Sequence, residues 1–369
     1  MNILSLNAGS ATLKLKLFSM PEEKCLLAGG IDHSGSESIA GASNGAIDQC
    51  RTLGVDAIGH RVVHGGTRFT KPTRVNESDL DSLRALHDLD PLHNPTEVAM
   101  IVAGLRAMPN TPAFAVFDTA FHETMPEIAW RYALPHGLAD QLALRRYGFH
   151  GISYQYVSER LLNCLKKDAV GSKLILCHLG NGASVCAVKD GISIDTSMGM
   201  TPVEGLVMGT RSGDVDPGLL LYLMRTGKLT PDKLDYMLND QSGLLGLSER
   251  SGDVRDLEKA AAAGDVKAHL ALDIFCYRIC KYVGAYAVAL SGFDALAFTG
   301  GIGEHSADVR QRICSRLQFL GIVLDDGSNN LPCDANPRQI SAAKTSTSTW
   351  VVPTDEELQI ARNVYKLLV

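Results

Sequence analysis

Apolar residues follow two rhythms along this chain of 369 residues. Short runs rich in Val, Ile, Leu, Phe and Ala predict strands over residues 2–6, 13–18, 57–63, 112–117, 173–177, 184–188, 294–298 and 349–352. In 13–18, leucine alternates with lysine. Longer stretches with apolar positions at helical spacing predict helices over 77–89, 96–107, 153–167, 219–226, 230–239, 257–263, 266–290, 308–320 and 358–368. Residues 25–54 are rich in Gly, Ser and Ala and read as loops with a short helix; 341–349, rich in Ser and Thr, reads as a surface loop. Strands interleaved with helices indicate an α/β protein.

One device occurs twice. The strand 2–6 leads into Asn7-Ala-Gly-Ser10-Ala-Thr12, and the returning strand carries Lys14. Half a chain later a strand leads into His178-Leu179-Gly180-Asn181-Gly182 and returns. Tips of this kind let the backbone approach a ligand closely and offer N–H groups and hydroxyls to phosphate. Two of them suggest an internally duplicated protein that grips a nucleotide in a cleft flanked by two lobes. Other polar residues stand where apolar strands stop. Arg61 lies in His60-Arg61-Val62-Val63-His64-Gly65-Gly66, and Asp118 follows strand 112–117 as a helix N-cap or a catalytic group. His150 sits in Tyr147-Gly148-Phe149-His150-Gly151, and Arg211 lies in the Gly-, Ser- and Thr-rich loop 195–218. Gly300-Gly301-Ile302-Gly303-Glu304 follows strand 294–298, and Asp355–Glu357 opens the last helix, where acidic residues suit the helix dipole. Cations, a histidine and carboxylates at strand ends are what phosphoryl transfer needs, since its catalysis is mostly positioning and charge stabilisation. The chain contains no Walker A motif and no protein-kinase signature, and no G-x-S-x-G stretch in it supports a hydrolase elbow.

Composition narrows the field. The length suggests two domains, and 45% hydrophobic with 21% charged residues describes an ordinary globular protein. A net charge of −6 without a basic tract argues against nucleic acid as the main partner. Nine scattered cysteines form no C-x-x-C; buried free thiols in a reducing cytosol are expected ahead of metal ligation. The chain starts on a strand-like run, so no signal peptide is expected, and the apolar stretch 283–298 is too broken to span a bilayer.

The sequence resembles the acetate kinases, of the acetate and sugar kinase/heat-shock/actin superfamily. The resemblance rests on N-A-G-S-A-T-L-K (7–14), G-H-R-V-V-H-G-G (59–66), P-L-H-N-P (91–95), F-D-T-A-F-H (117–122), Y-G-F-H-G (147–151), H-L-G-N-G-A-S (178–184), S-M-G-M-T-P-V-E-G-L-V-M-G-T-R-S-G-D-V-D-P (197–217) and G-G-I-G-E (300–304). It implies a duplicated ribonuclease H-like, actin-like ATPase fold with two lobes around a cleft. Residues 1–150 with helix 355–369 would form the acid-binding lobe with the first phosphate loop, and 151–354 the nucleotide lobe. The implied reaction is reversible transfer from ATP to acetate, giving acetyl phosphate and ADP, with Mg²⁺ or Mn²⁺, in a cytoplasmic homodimer. Asn7 and Glu356 would help hold the metal. Lys14, Ser10, Thr12, His178, Leu179, Gly180, Asn181, Gly182, Asp253, Val254, Arg255, Gly301, Ile302, Gly303, Glu304 and His305 would line the nucleotide site. Arg61 would bind the carboxylate, Arg211 and His150 would stabilise the transition state, and Asp118 would orient the acceptor. Val63, Leu92, His93, Phe149 and Pro202 would form the acyl pocket, with Val63 leaving room for a methyl group.

The chain departs from the family pattern in S-A-T for S-S-S at the first tip, and in His305, Val254 and Asp355 for Asn, Phe and Asn. G-I-S-Y also replaces G-T-S-H at 151–154, and about thirty residues are missing before Arg61. A propionate or butyrate kinase is the alternative within the same chemistry. A non-catalytic ATP-binding switch of actin or chaperone type is the alternative outside it.

Overall fold

The computed structural model describes residues 1–9, 12–32, 50–91, 93–343 and 345–369. It divides into two units. The first holds Met1–Glu123, Phe149–Tyr156 and Asp355–Val369, and the second holds Thr124–Gly148 and Val157–Thr354.

The first unit is built on strands β1 (Asn2–Ala8), β2 (Thr12–Ser19), β3 (Lys24–Asp32), β4 (Ala57–Val62), β5 (Thr73–Val75) and β6 (Ala113–Phe117), in the order β3-β2-β1-β4-β6-β5. β1, β4 and β6 run parallel, so Asn7, Arg61 and the residue after Phe117 reach the same sheet end. Residues of β1 alternate between two cores, as a strand with period two requires. Leu4 and Leu6 pack with Leu15, Leu17, Ile58 and Met100 on one face. Ile3 packs with Ala57, Phe114, Val116 and the helix Glu356–Leu368 on the other. That helix presses on β4 where Gly59 offers no side chain: a Cβ there would lie 2.5 Å from Ile360.

The second unit repeats the plan. Strands β7 (Lys173–Leu179), β8 (Ala183–Lys189), β9 (Ile192–Thr196), β10 (Ala295–Thr299), β11 (Arg338–Gln339) and β12 (Ser348–Val351) lie in the order β11-β12-β10-β7-β8-β9. Each sheet has an antiparallel three-stranded meander, two further parallel strands and an antiparallel edge strand. This matching strand order bears out the duplication that the two tips suggested.

Several elements differ from the expectation. Residues 24–32 form β3, paired with β2 from Thr12↔Asp32 to Ser19↔Lys24, where a loop was expected. Gly29 and Gly30 hide the strand, because glycine carries no strand propensity of its own. Residues 33–49 of the same stretch lie outside the described residues. The helix expected over 77–89 is the 3₁₀ turn Glu77–Asp79 and the short helix Leu80–Arg84, started by a capping box at Asn76. Gly300–His305 is a helix despite its glycines. All nine cysteines are free, and Cys50, Cys177, Cys186, Cys276 and Cys314 are buried. No helix among the described residues is long and apolar enough to cross a membrane.

His60 on β4 is 1% exposed, its ring packs against Gly104 of the helix Asn94–Ala107, and neither ring nitrogen has a hydrogen-bond partner. Burial lowers its pKa to about 4. The unfolded chain therefore binds a proton below pH 6.5 that the folded chain refuses, and stability is lost as pH falls from 6.5 towards 4. Urea unfolding is expected to show a loss of about 2 kcal/mol between pH 6.5 and 5 that His60→Leu removes. An unchanged pH dependence in that variant would contradict the assignment.

Candidate active site

In the first unit, the carboxyl ends of β1, β4 and β6 assemble a charged group, the usual ligand position in a parallel sheet. Arg61 donates to Asp118 Oδ2 from Nη2 at 2.7 Å and from Nε at 3.2 Å, and from Nη1 to Asn7 Oδ1 at 3.2 Å. Asn7 Nδ2 donates to Glu356 Oε2 and Glu357 Oε1, both at 2.9 Å. The Asp118 side chain is 1% exposed and that of Arg61 is 14%. Burial opposes the guanidinium charge, but the Asp118 and Glu356 carboxylates outweigh it and keep Arg61 cationic. Asn7, Glu356 and Glu357 offer oxygen donors, the set a magnesium ion takes with one or two carboxylates. Among the described residues, no group of three or more His, Cys, Asp or Glu could cage a metal alone.

His150 has φ of +60° in a turn between Gly148 and Gly151. A Cβ on Gly151 would collide with the carbonyl oxygen of Asp118, so glycine lets the His150 turn lie directly on the Asp118 backbone. Val63 and Phe149 are buried, and the ring of Phe149 meets His64 edge-on at 5.5 Å. His93 Nδ1 lies 2.8 Å from Asp90 Oδ1. Lys14 and Thr12 are exposed on β2. Ser10 and Leu92 lie outside the described residues.

In the second unit, a pocket of ≈ 730 Å³ is lined by Gly180, Asn181, Gly252, Asp253, Val254, Arg255, Glu258, Gly301, Ile302, His305 and Ser306. That is within the usual range for a small-molecule site. Eight of these belong to the expected nucleotide set. His178 and Leu179 lie at the end of β7 and Gly182 in the turn after it, while Gly303 is buried; none of these lines the pocket. Glu304 acts as a staple: it accepts from Gly300 N at 2.9 Å and Thr354 N at 3.1 Å. Asp253 caps the helix Val254–Ala262 and pairs with Arg255, whose hydrogen bond holds the carboxyl below its ordinary pKa. Arg211 lies in a turn closed by Met208 N to Arg211 O at 3.1 Å and points Nη1 at the Pro202 carbonyl at 3.5 Å. Gly209 of that turn donates to the Asn181 carbonyl at 3.0 Å, tying the Arg211 loop to the pocket.

The acetokinase family model matches residues 43–362. The chain belongs to the acetokinase family. An acetate kinase of Heliobacterium modesticaldum is 44% identical over 400 aligned positions covering 100% of both chains. The crystal structure of Porphyromonas gingivalis acetate kinase matches with a TM-score of 0.90 and 38% identity over 100% of both chains. That of a propionate kinase from Francisella tularensis also scores 0.90 at 38% identity, covering 98% of each. These likenesses bear out the duplicated actin-like α/β fold.

Several residues of this acetokinase that brace the site escaped the sequence reading. Arg146 donates from Nη1 to the carbonyls of Thr196, Ser197 and Met198 at 3.1, 3.0 and 2.8 Å, and from Nη2 to Glu204 at 2.5 Å. Tyr132 joins the same carboxylate and accepts from Met200 N at 2.9 Å. Together they fix the start of the loop that carries Pro202 and Arg211. Arg310, 1% exposed, donates to the carbonyls of Gly303 and Glu304 at 2.9 and 3.0 Å and so holds the end of the helix Gly300–His305. Burial lowers its pKa to about 10. The one local signal was Arg146 inside R-R-Y-G-F-H-G; nothing in the local pattern marks the others.

Proposed function

We propose that this acetokinase is an acetate kinase, catalysing reversible phosphoryl transfer from ATP to acetate with ADP and acetyl phosphate as products. The observation that carries the reading is the Arg61–Asp118 pair on Asn7: a partly buried, still cationic guanidinium beside a fixed, buried carboxylate at the sheet end. In the forward direction an acetate oxygen forms a bond to the γ-phosphorus, and the bond from that phosphorus to the β,γ-bridging oxygen breaks, leaving ADP. Acetate is already ionised at neutral pH, so no proton need be removed from it. Arg61 would therefore hold the acid's carboxylate and Asp118 would fix the angle of the guanidinium. His150 and Arg211 would stabilise charge on the phosphoryl oxygens. The ≈ 730 Å³ pocket supports a nucleotide site, with Asp253–Arg255 and Gly301–Ile302 as its walls. Asn7 and Glu356 would hold Mg²⁺, which would neutralise phosphate charge.

Val63, His93 and Phe149 would line the acyl pocket. One methylene is worth about 1–3 kcal/mol in such a pocket. kcat/KM is expected to fall about tenfold or more from acetate to propionate and further to butyrate. A preference for the longer acids would move the reading to a propionate kinase, the activity named for the Francisella relative.

The free thiols support a reducing, cytoplasmic setting. The helix Pro217–Arg225 has no buried residue, and Leu219, Leu221, Tyr222 and Met224 are exposed. Exposed apolar side chains in this number on one helix support a homodimer. Sedimentation is expected at twice the chain mass, with Leu221→Lys shifting it to the single chain; a monomeric parent would contradict this.

A further inference from the structure

The helix Asn94–Ala107 carries one acidic residue, Glu97, in its first turn, and it is 1% exposed. Glu97 Oε1 accepts from the Val63 N–H at 3.0 Å, while Oε2 is enclosed with no hydrogen-bond partner. Asp90, 2% exposed, reaches His93 through Oδ1, and its Oδ2 is likewise enclosed with no partner. Two buried carboxyl oxygens that both lack a donor are relieved by one proton held between them, as in other paired carboxyl groups. Burial raises the Glu97 pKa well above the carboxylate range, and the neighbouring Asp90 charge adds to this; Arg61 and the Val63 N–H pull the other way without reversing it.

We propose that Glu97 is a neutral carboxylic acid that donates from Oε2 to Asp90 Oδ2 while accepting from Val63 N, and that it is the positioning residue for the acyl wall. The inference rests on the acid site proposed above, of which Val63 and His93 are members. A single chain of contacts, Val63–Glu97–Asp90–His93, then ties β4 to the His93 turn and sets how deep the pocket is for the acid's alkyl end. The neutral state also spares Arg61 a further buried negative charge that would compete with the acid's own carboxylate.

Three measurements on the full chain test this. Difference infrared spectroscopy of the parent against Glu97→Gln at pH 7 is expected to show loss of a buried protonated carboxyl band; absence of that band from the parent overturns the proposal. Glu97→Gln, whose amide can accept from Val63 and donate to Asp90, is expected to keep kcat, the acetate KM and the acetate-to-propionate ratio within about threefold. Glu97→Leu leaves the Val63 N–H unpaired. It is expected to raise the acetate KM and shift the acetate-to-propionate kcat/KM ratio towards propionate, each about tenfold, with the ATP KM unchanged. An equal loss in the Gln and Leu variants, or a Leu variant with the parent's acid ratio, overturns the inference while leaving the acetate kinase reading intact. A parent inactive with every short acid overturns that reading and the acyl role together. Should Glu97→Leu not fold, the infrared band and the Gln variant decide.

Discussion

Arg61→Ala is expected to lower kcat/KM for acetate by about three orders of magnitude, with the KM for ATP changed by no more than about threefold. Two losses combine. The acid loses its cation, and Asp118, with its side chain 1% exposed, keeps its buried charge without the guanidinium that compensates it. Breaking a buried pair from one side costs about 3–5 kcal/mol, so a lower melting temperature is expected alongside the kinetic loss. Arg61→Lys should recover only part of the activity. A point charge cannot reproduce the contacts from Nε and Nη2 to Asp118 and from Nη1 to Asn7. Steady-state kinetics in both substrates make the check, and a kcat/KM within about tenfold of the parent would remove Arg61 from its role.

Arg211→Ala is expected to act on kcat. An arginine that stabilises charge on a phosphoryl group in transfer is worth about 10³–10⁵ in rate, and its removal should leave both KM values close to the parent's. The turn that presents Arg211 is closed by backbone contacts at Met208, Gly209 and Asn181, so the variant should fold normally. Unchanged melting with kcat down about a thousandfold is the expected pair of results. A raised acetate KM with kcat intact would instead assign Arg211 to ground-state binding.

The residues at strand ends were legible because an apolar run that stops at a polar residue announces itself locally. Asn7 is the last residue but one of β1, Arg61 the last but one of β4, and Asp118 follows β6; parallel pairing then brings them to one edge. The twin tips made the duplication readable, and the matching sheet orders explain why two unremarkable turns carried so much meaning. Other features depend on partners far away in the chain. Glu97 reads as one acid in an apolar helix until the Val63 N–H meets it in the fold. Arg310 reads as one charge among several in 307–316 until the Gly303 and Glu304 carbonyls claim it. β3 was hidden because its pairing with β2, and no preference of its own residues, makes it a strand. Glu304 was read as a pocket residue because the glycines around it suggest a nucleotide; its hydrogen bonds to Gly300 and Thr354 give it structural work.

The central claim is that phosphorus moves from ATP to a small carboxylate. Phosphorus-31 NMR on the purified chain with ATP, Mg²⁺ and acetate follows that atom directly. The expected result is an acetyl phosphate resonance growing in step with ADP, absent without acetate and reversed when acetyl phosphate and ADP are supplied. ADP and inorganic phosphate alone, with no acyl phosphate from acetate, propionate or butyrate, would contradict the account.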